Sequence, residues 1–155
     1  MQKTWTKNPA LVGQIDFENL QPLERYAGGH DSHMKGLFRG ASVLVHWNEN
    51  DYQGTVATAH LHPDGTVTAI VDTYGSCSGC DAWKGSSWDD ARKMLIGLAE
   101  SALVFPNAQA FEAFLRELAA APLSWDEWKQ LDLDFEWDDK VAKGLLEEIN
   151  LSAHG

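Results

Sequence analysis

From Ala41 to Trp47 the residues Val43, Val45 and Trp47 alternate with Ser42, Leu44 and His46, the two-residue period of a strand buried on at least one face. Asn48-Glu49-Asn50-Asp51 reads as a turn, residues 52 to 62 as a second strand, Pro63-Asp64-Gly65 as a tight turn, and residues 66 to 74 as a third strand. A three-stranded antiparallel meander over about 41–74 is therefore predicted. Centring its turns on Pro63-Asp64 and Glu49-Asn50 sets Gln53 opposite Tyr74 and His46 opposite Gln53. Beyond the meander the period becomes helical. Ser87 with Asp90 has capping-box spacing, and Trp88, Ala91, Leu95, Leu98, Ala99 and Ala102 share one face of a helix over about 87–104. Asn107 can cap a second helix, about 107–121, whose Phe111, Phe114, Leu115 and Leu118 recur at i, i+3, i+4 and i+7. Ser124 and Glu127 repeat the capping box for a short helix over 124–130, and Val141, Leu145, Leu146 and Ile149 mark a last one over 139–150. The fold class is α+β.

Between the last two helices, Leu131-Asp132-Leu133-Asp134-Phe135-Glu136-Trp137-Asp138 alternates apolar and acidic residues, which predicts a short strand over 131–137. Its acids would stand on one face about 7 Å apart. Such a ladder either guards a sheet edge against pairing with another chain or offers negative charge to a partner.

Earlier in the chain the pattern is weaker. Disorder is expected at most in residues 1–10, Pro22 can begin a short helix that Gly28-Gly29 would end, and Gly28 to Gly40 reads as a glycine-punctuated polar loop carrying His30-Asp31-Ser32-His33. The 155 residues suit a single domain, and no apolar run approaches the roughly 20 residues of a membrane span. No signal-peptide core follows Met1, so a cytoplasmic protein is expected.

Charge narrows the partners. The formal net charge of -11 argues against direct contact with nucleic acid or an anionic membrane and in favour of a basic protein surface. Residues 124 to 155 hold nine acids against three lysines, so they carry -6 of that total. Seven Trp are more than a core of this size needs, and Trp is favoured where proteins meet, which makes Trp125 and Trp128, beside Asp132, Asp134, Glu136 and Asp138, the expected contact set.

The candidate chemistry lies in Tyr74-Gly75-Ser76-Cys77-Ser78-Gly79-Cys80-Asp81. Cys77 and Cys80 on a glycine-containing turn can aim two thiolates at one ion, and thiolates favour zinc. A complete structural zinc site needs further ligands, for which His30, His33 and His46 are the candidates, whereas His60 and His62 fall at the far end of the hairpin. The pair can equally be two reduced thiols or a redox couple, and His46 a half-buried histidine satisfied by its neighbours. A small metal-dependent enzyme built from the His30 to His33 loop and the cysteine turn is the alternative to a binding protein.

The block from Tyr74 to Trp83 resembles a stretch in small uncharacterised proteins of bacteria and their phages, over about a tenth of the chain. That resemblance implies a bacterial or phage origin. By analogy of class, small acidic phage proteins bind and block host enzymes, anti-CRISPR proteins among them. The expected function is therefore non-catalytic protein binding, as an inhibitor of a nucleic-acid-handling host protein.

Overall fold

The computed structural model describes residues 1–20, 31–51, 53–75 and 87–154. Four strands, β1 (Ser42–Asn48), β2 (Gly54–Leu61), β3 (Val67–Tyr74) and β4 (Leu103–Phe105), form one antiparallel sheet in the order β1-β2-β3-β4. The first three are the predicted meander. Six helices accompany them among the described residues: α1 (Phe17–Leu20), α2 (Asp31–Lys35), α3 (Trp88–Ser101), α4 (Ala108–Ala120), α5 (Trp125–Leu131) and α6 (Asp139–His154).

Strand alternation builds a core on each side of the sheet. Ala57, Ala59, Val67, Ala69 and Val71 point to the side covered by α4 and α6, where they meet Phe111, Phe114, Leu118, Val141 and Leu145. Val56 and Ile70 point the other way, towards α3, Met34, Leu37 and Phe38. The helix starts follow the local chemistry: Ser87 accepts from the Asp90 amide at 3.1 Å, Asn107 from the Ala110 amide at 2.8 Å, and Ser124 and Glu127 complete a reciprocal capping box.

The structure corrects the expected register. Tyr74 pairs with Gly54, one residue from Gln53, and His46 pairs with Thr58 instead of Gln53. A wider β1–β2 connection causes this. The Glu49 backbone amide donates to Thr55 O and the Glu49 carboxylate accepts from the Thr55 amide, both at 3.0 Å, while Asn50 adopts a left-handed conformation with φ 58°. His46 thereby moves away from the end of the sheet towards its middle.

The N-terminal segment is docked on the core through Trp5. Trp5 is buried between Phe105 and Phe114, with ring centroids at 6.2 and 5.0 Å. Thr6 bridges to Val104 on the outer edge of β4, and Pro9–Gln14 form a 3-10 turn. Part of the expected 28–40 loop is also structured, since residues 31–35 form α2, and Met34, Leu37 and Phe38 join the core. The proposed helix after Pro22 lies outside the described residues.

Residues 131–137 form no strand. Leu131 ends α5, Asp132 takes the left-handed conformation with φ 52°, and the Trp137 and Asp138 amides donate to Asp134 O and Glu136 O in successive turns. Alternation misleads here because only Leu133 and Trp137 are buried, and two residues four apart reach one core from a turn as readily as from a strand. Phe135 is 45% exposed.

Candidate functional site

Two polar regions could carry function. The first lies where α2 rests on the sheet. His46 Nδ1 is 2.7 Å from Thr58 Oγ1 and its Nε2 is 2.7 Å from Asp31 Oδ1, which also accepts from Asn48 Nδ2 at 2.9 Å. Tyr74 O–H donates to Asn48 Oδ1 at 2.7 Å and closes the chain of contacts at the end of β3. Burial acts to raise the Asp31 carboxyl, but the hydrogen bonds from Asn48 and His46 outweigh it and hold the group below its ordinary value. Burial lowers His46 despite the opposing pull of Asp31. An ionised Asp31 can only accept, so His46 donates through Nε2–H and its Nδ1 accepts from the Thr58 hydroxyl.

Hydroxyl, imidazole and carboxylate in series resemble a nucleophile with its base. Thr58 is wholly buried in the middle strand, however, so no substrate reaches its oxygen. The series fastens α2 to the sheet. Two further histidines act nearby: buried His33 places Nε2 3.8 Å from Asp72 Oδ2, and buried His60 donates through Nε2 to Met34 O at 2.8 Å. Burial pushes His60 down to about 4, its Met34 hydrogen bond notwithstanding.

Of the expected zinc ligands, Cys77, Cys80 and His30 lie outside the described residues; the predicted meander sets the cysteine turn at the Asn48 end of the sheet, and that turn lies outside the described residues too. Tyr74, three residues before Cys77, does reach Asn48. His33 and His46 are both on the α2 side of the sheet, and His46 would have to release Thr58 or Asp31 to take a metal. Among the described residues no group of three or more His, Cys, Asp or Glu side chains is placed to hold an ion.

The second region is the corner between α5 and α6. Trp125 is 56% exposed and stacks on Phe135, with centroids 4.2 Å apart and planes at 17°. Trp128 meets Phe135 edge-on at 5.5 Å and donates through Nε1 to Trp137 O at 3.2 Å. Trp128 is therefore a half-buried prop, and Trp125 and Phe135 form the open surface. The expected acidic ladder is rearranged around them. Asp132 is exposed and pairs with Lys7 at 3.1 Å, Asp134 and Glu136 are half-buried on the turns, and Asp138 caps α6 by accepting from the Val141 amide at 2.9 Å. Asp126 and Glu127 add exposed carboxylates from the first turn of α5.

Sequence reasoning singles out Trp125 and the acids but misses Phe135, which alternation assigns to the buried face. It also misses the pairing of Asp31 with His46. No helix among the described residues is long and apolar enough to cross a membrane. Comparison with known protein families, curated proteins and solved structures finds no match to this chain.

Proposed function

We propose that the protein is a non-catalytic binding module that presents the α5–α6 corner to a basic surface on another protein. The exposed Trp125–Phe135 stack carries this reading. Large aromatic side chains held rigidly at the surface bury much area on association at little entropic cost, and they dominate binding energy where they occur. The surrounding carboxylates supply charge that steers a basic partner and repels an acidic one. Proteins that handle nucleic acid carry basic surfaces, so an inhibitor of such a protein, of the kind found in phages, fits this corner well. The histidine network favours the same reading, because both ring nitrogens of His46 and Nε2 of His60 are engaged with Thr58, Asp31 and Met34.

The test is affinity capture from a bacterial lysate with the untagged protein, followed by reconstitution with the purified captured protein. The expected result is a basic partner whose binding weakens with salt and falls at least tenfold in Trp125→Ala. Equal binding by Trp125→Ala and Phe135→Ala would move the contact surface elsewhere on the molecule.

A further inference from the structure

The Trp125 ring already holds a cation. Lys129, one helical turn along α5, places Nζ over the indole 5.4 Å from its centroid. Acids adjoin it in sequence at Asp126, Glu127 and Asp132, yet among the described residues the Lys129 ammonium forms no ion pair: Asp132 pairs with Lys7, and Glu127 closes the capping box on Ser124. The indole face thus holds the ammonium where carboxylates compete for it. Phe135 stacks on the same indole at 4.2 Å. Trp125, Phe135 and Lys129 are all exposed, so none of the described residues closes this seat.

We infer that the Trp125 face is an arginine-recognition seat in which Lys129 is a tethered occupant, displaced when a partner's guanidinium stacks on the indole. The inference rests on the protein-binding reading above and specifies the residue that the partner contributes. Arginine suits the seat better than lysine. Its guanidinium is planar, stacks flat on an indole and is less strongly hydrated than an ammonium, so it gives up less solvent on stacking while its N–H groups can still reach neighbouring carboxylates. A displaced Lys129 turns outward into an acidic surround, where solvent and the neighbouring acids receive it. Its i,i+4 placement makes it a weak internal competitor, since an exposed cation–π contact changes an equilibrium by only a few-fold.

The experiment is a titration of the intact protein with acetylated, amidated triarginine, trilysine and tricitrulline peptides, following the Trp125 indole N–H resonance assigned by Trp125→Phe. Triarginine should shift that resonance saturably and bind more tightly than trilysine, and tricitrulline, which has no charge, should leave it unmoved. Lys129→Gln should tighten triarginine binding by roughly two- to fivefold. Lys143→Gln, which removes the same charge from α6, should change it less. Equal binding of triarginine and trilysine, with no gain in Lys129→Gln, overturns the arginine seat and leaves the acidic binding surface standing. If neither basic peptide binds, the protein-binding reading of this corner fails as well.

Discussion

Gly144 of α6 lies directly against the indole of Trp47 on β1, so that a Cβ added at Gly144 would overlap Cε2, Nε1 and Cδ2 of that ring. The helix approaches the sheet closely because this position has no side chain. Gly144→Ala should destabilise the fold by about 1–3 kcal/mol through overpacking, outweighing the gain in helix propensity that alanine brings. Gly97, exposed on α3 with no atom within 4 Å of where an alanine methyl would sit, should respond in the opposite direction, with Gly97→Ala stabilising by about 0.5–1 kcal/mol. Urea denaturation of both variants checks the pair, and a Gly144→Ala protein as stable as wild type would show that α6 can shift away without cost.

Stability should fall as the pH drops from 6.5 towards 4. His60 is held near 4 in the folded protein against 6.5 when unfolded, so across that window the unfolded chain binds more protons and acid favours it. The group accounts for about 3 kcal/mol over the whole interval. Burial lowers His46 and His62 too, and both act with the same sign. Chemical denaturation at pH 7, 5.5 and 4.5 should show this slope. His60→Gln should flatten it, even though the variant is less stable at pH 7. An unchanged slope in His60→Gln would place the titrating group elsewhere.

Thr58→Val removes the hydroxyl that donates to His46 Nδ1 and keeps the shape of the side chain. Because Thr58 is wholly buried, the loss should cost about 1–3 kcal/mol, read from the denaturation midpoint. Partner binding at 25 °C should remain at the wild-type level, since the network fastens α2 and takes no part in contact. Loss of binding in a folded Thr58→Val protein would return function to the His46 network.

The acids and the aromatic pair should separate kinetically. Changing Asp132, Asp134 and Glu136 together to Asn, Asn and Gln should slow association and flatten its dependence on salt, because charge at a rim acts mainly on the encounter. Trp125→Ala should leave association nearly unchanged and speed dissociation at least tenfold. Surface plasmon resonance at two ionic strengths distinguishes the two effects. A triple variant that binds normally but self-associates would mean that these carboxylates serve only to keep copies of the chain apart.

Local signals in the chain translate well. Ser87, Asn107 and Ser124 begin helices because a capping side chain needs only an amide two or three residues away, and the period of Phe111, Phe114, Leu115 and Leu118 suffices to place α4 on the core. Features that depend on distant partners do not. Periodicity assigns Leu103 and Val104 to the end of a helix, yet Leu103–Phe105 becomes β4 by pairing with Val67, Thr68 and Ala69. Met34, Leu37 and Phe38 have a helical spacing that is legible, but the glycines on either side obscure it. Nothing local announces that Asp31 meets His46, because the contact depends on how α2 crosses the sheet. At the candidate site, Trp125 and the charge around it are evident, whereas the exposure of Phe135 follows from a turn that alternation imitates.

The Thr6 bridge has a consequence for synthesis. Its amide donates to Val104 O at 2.9 Å and its carbonyl accepts from the Val104 amide at 2.8 Å, so the edge of β4 is sealed by a segment made well before it. On a ribosome adding roughly 5–20 residues per second, Thr6 waits on the order of 5–20 s before Val104 is made. The β2–β3 hairpin, whose partners are close in sequence, can form throughout that interval, while Trp5 remains without its pocket of Phe105 and Phe114. Throughout that interval the nascent chain carries Trp5 unburied, and completion of β4 and then α4 is what withdraws it from chaperones and neighbouring chains.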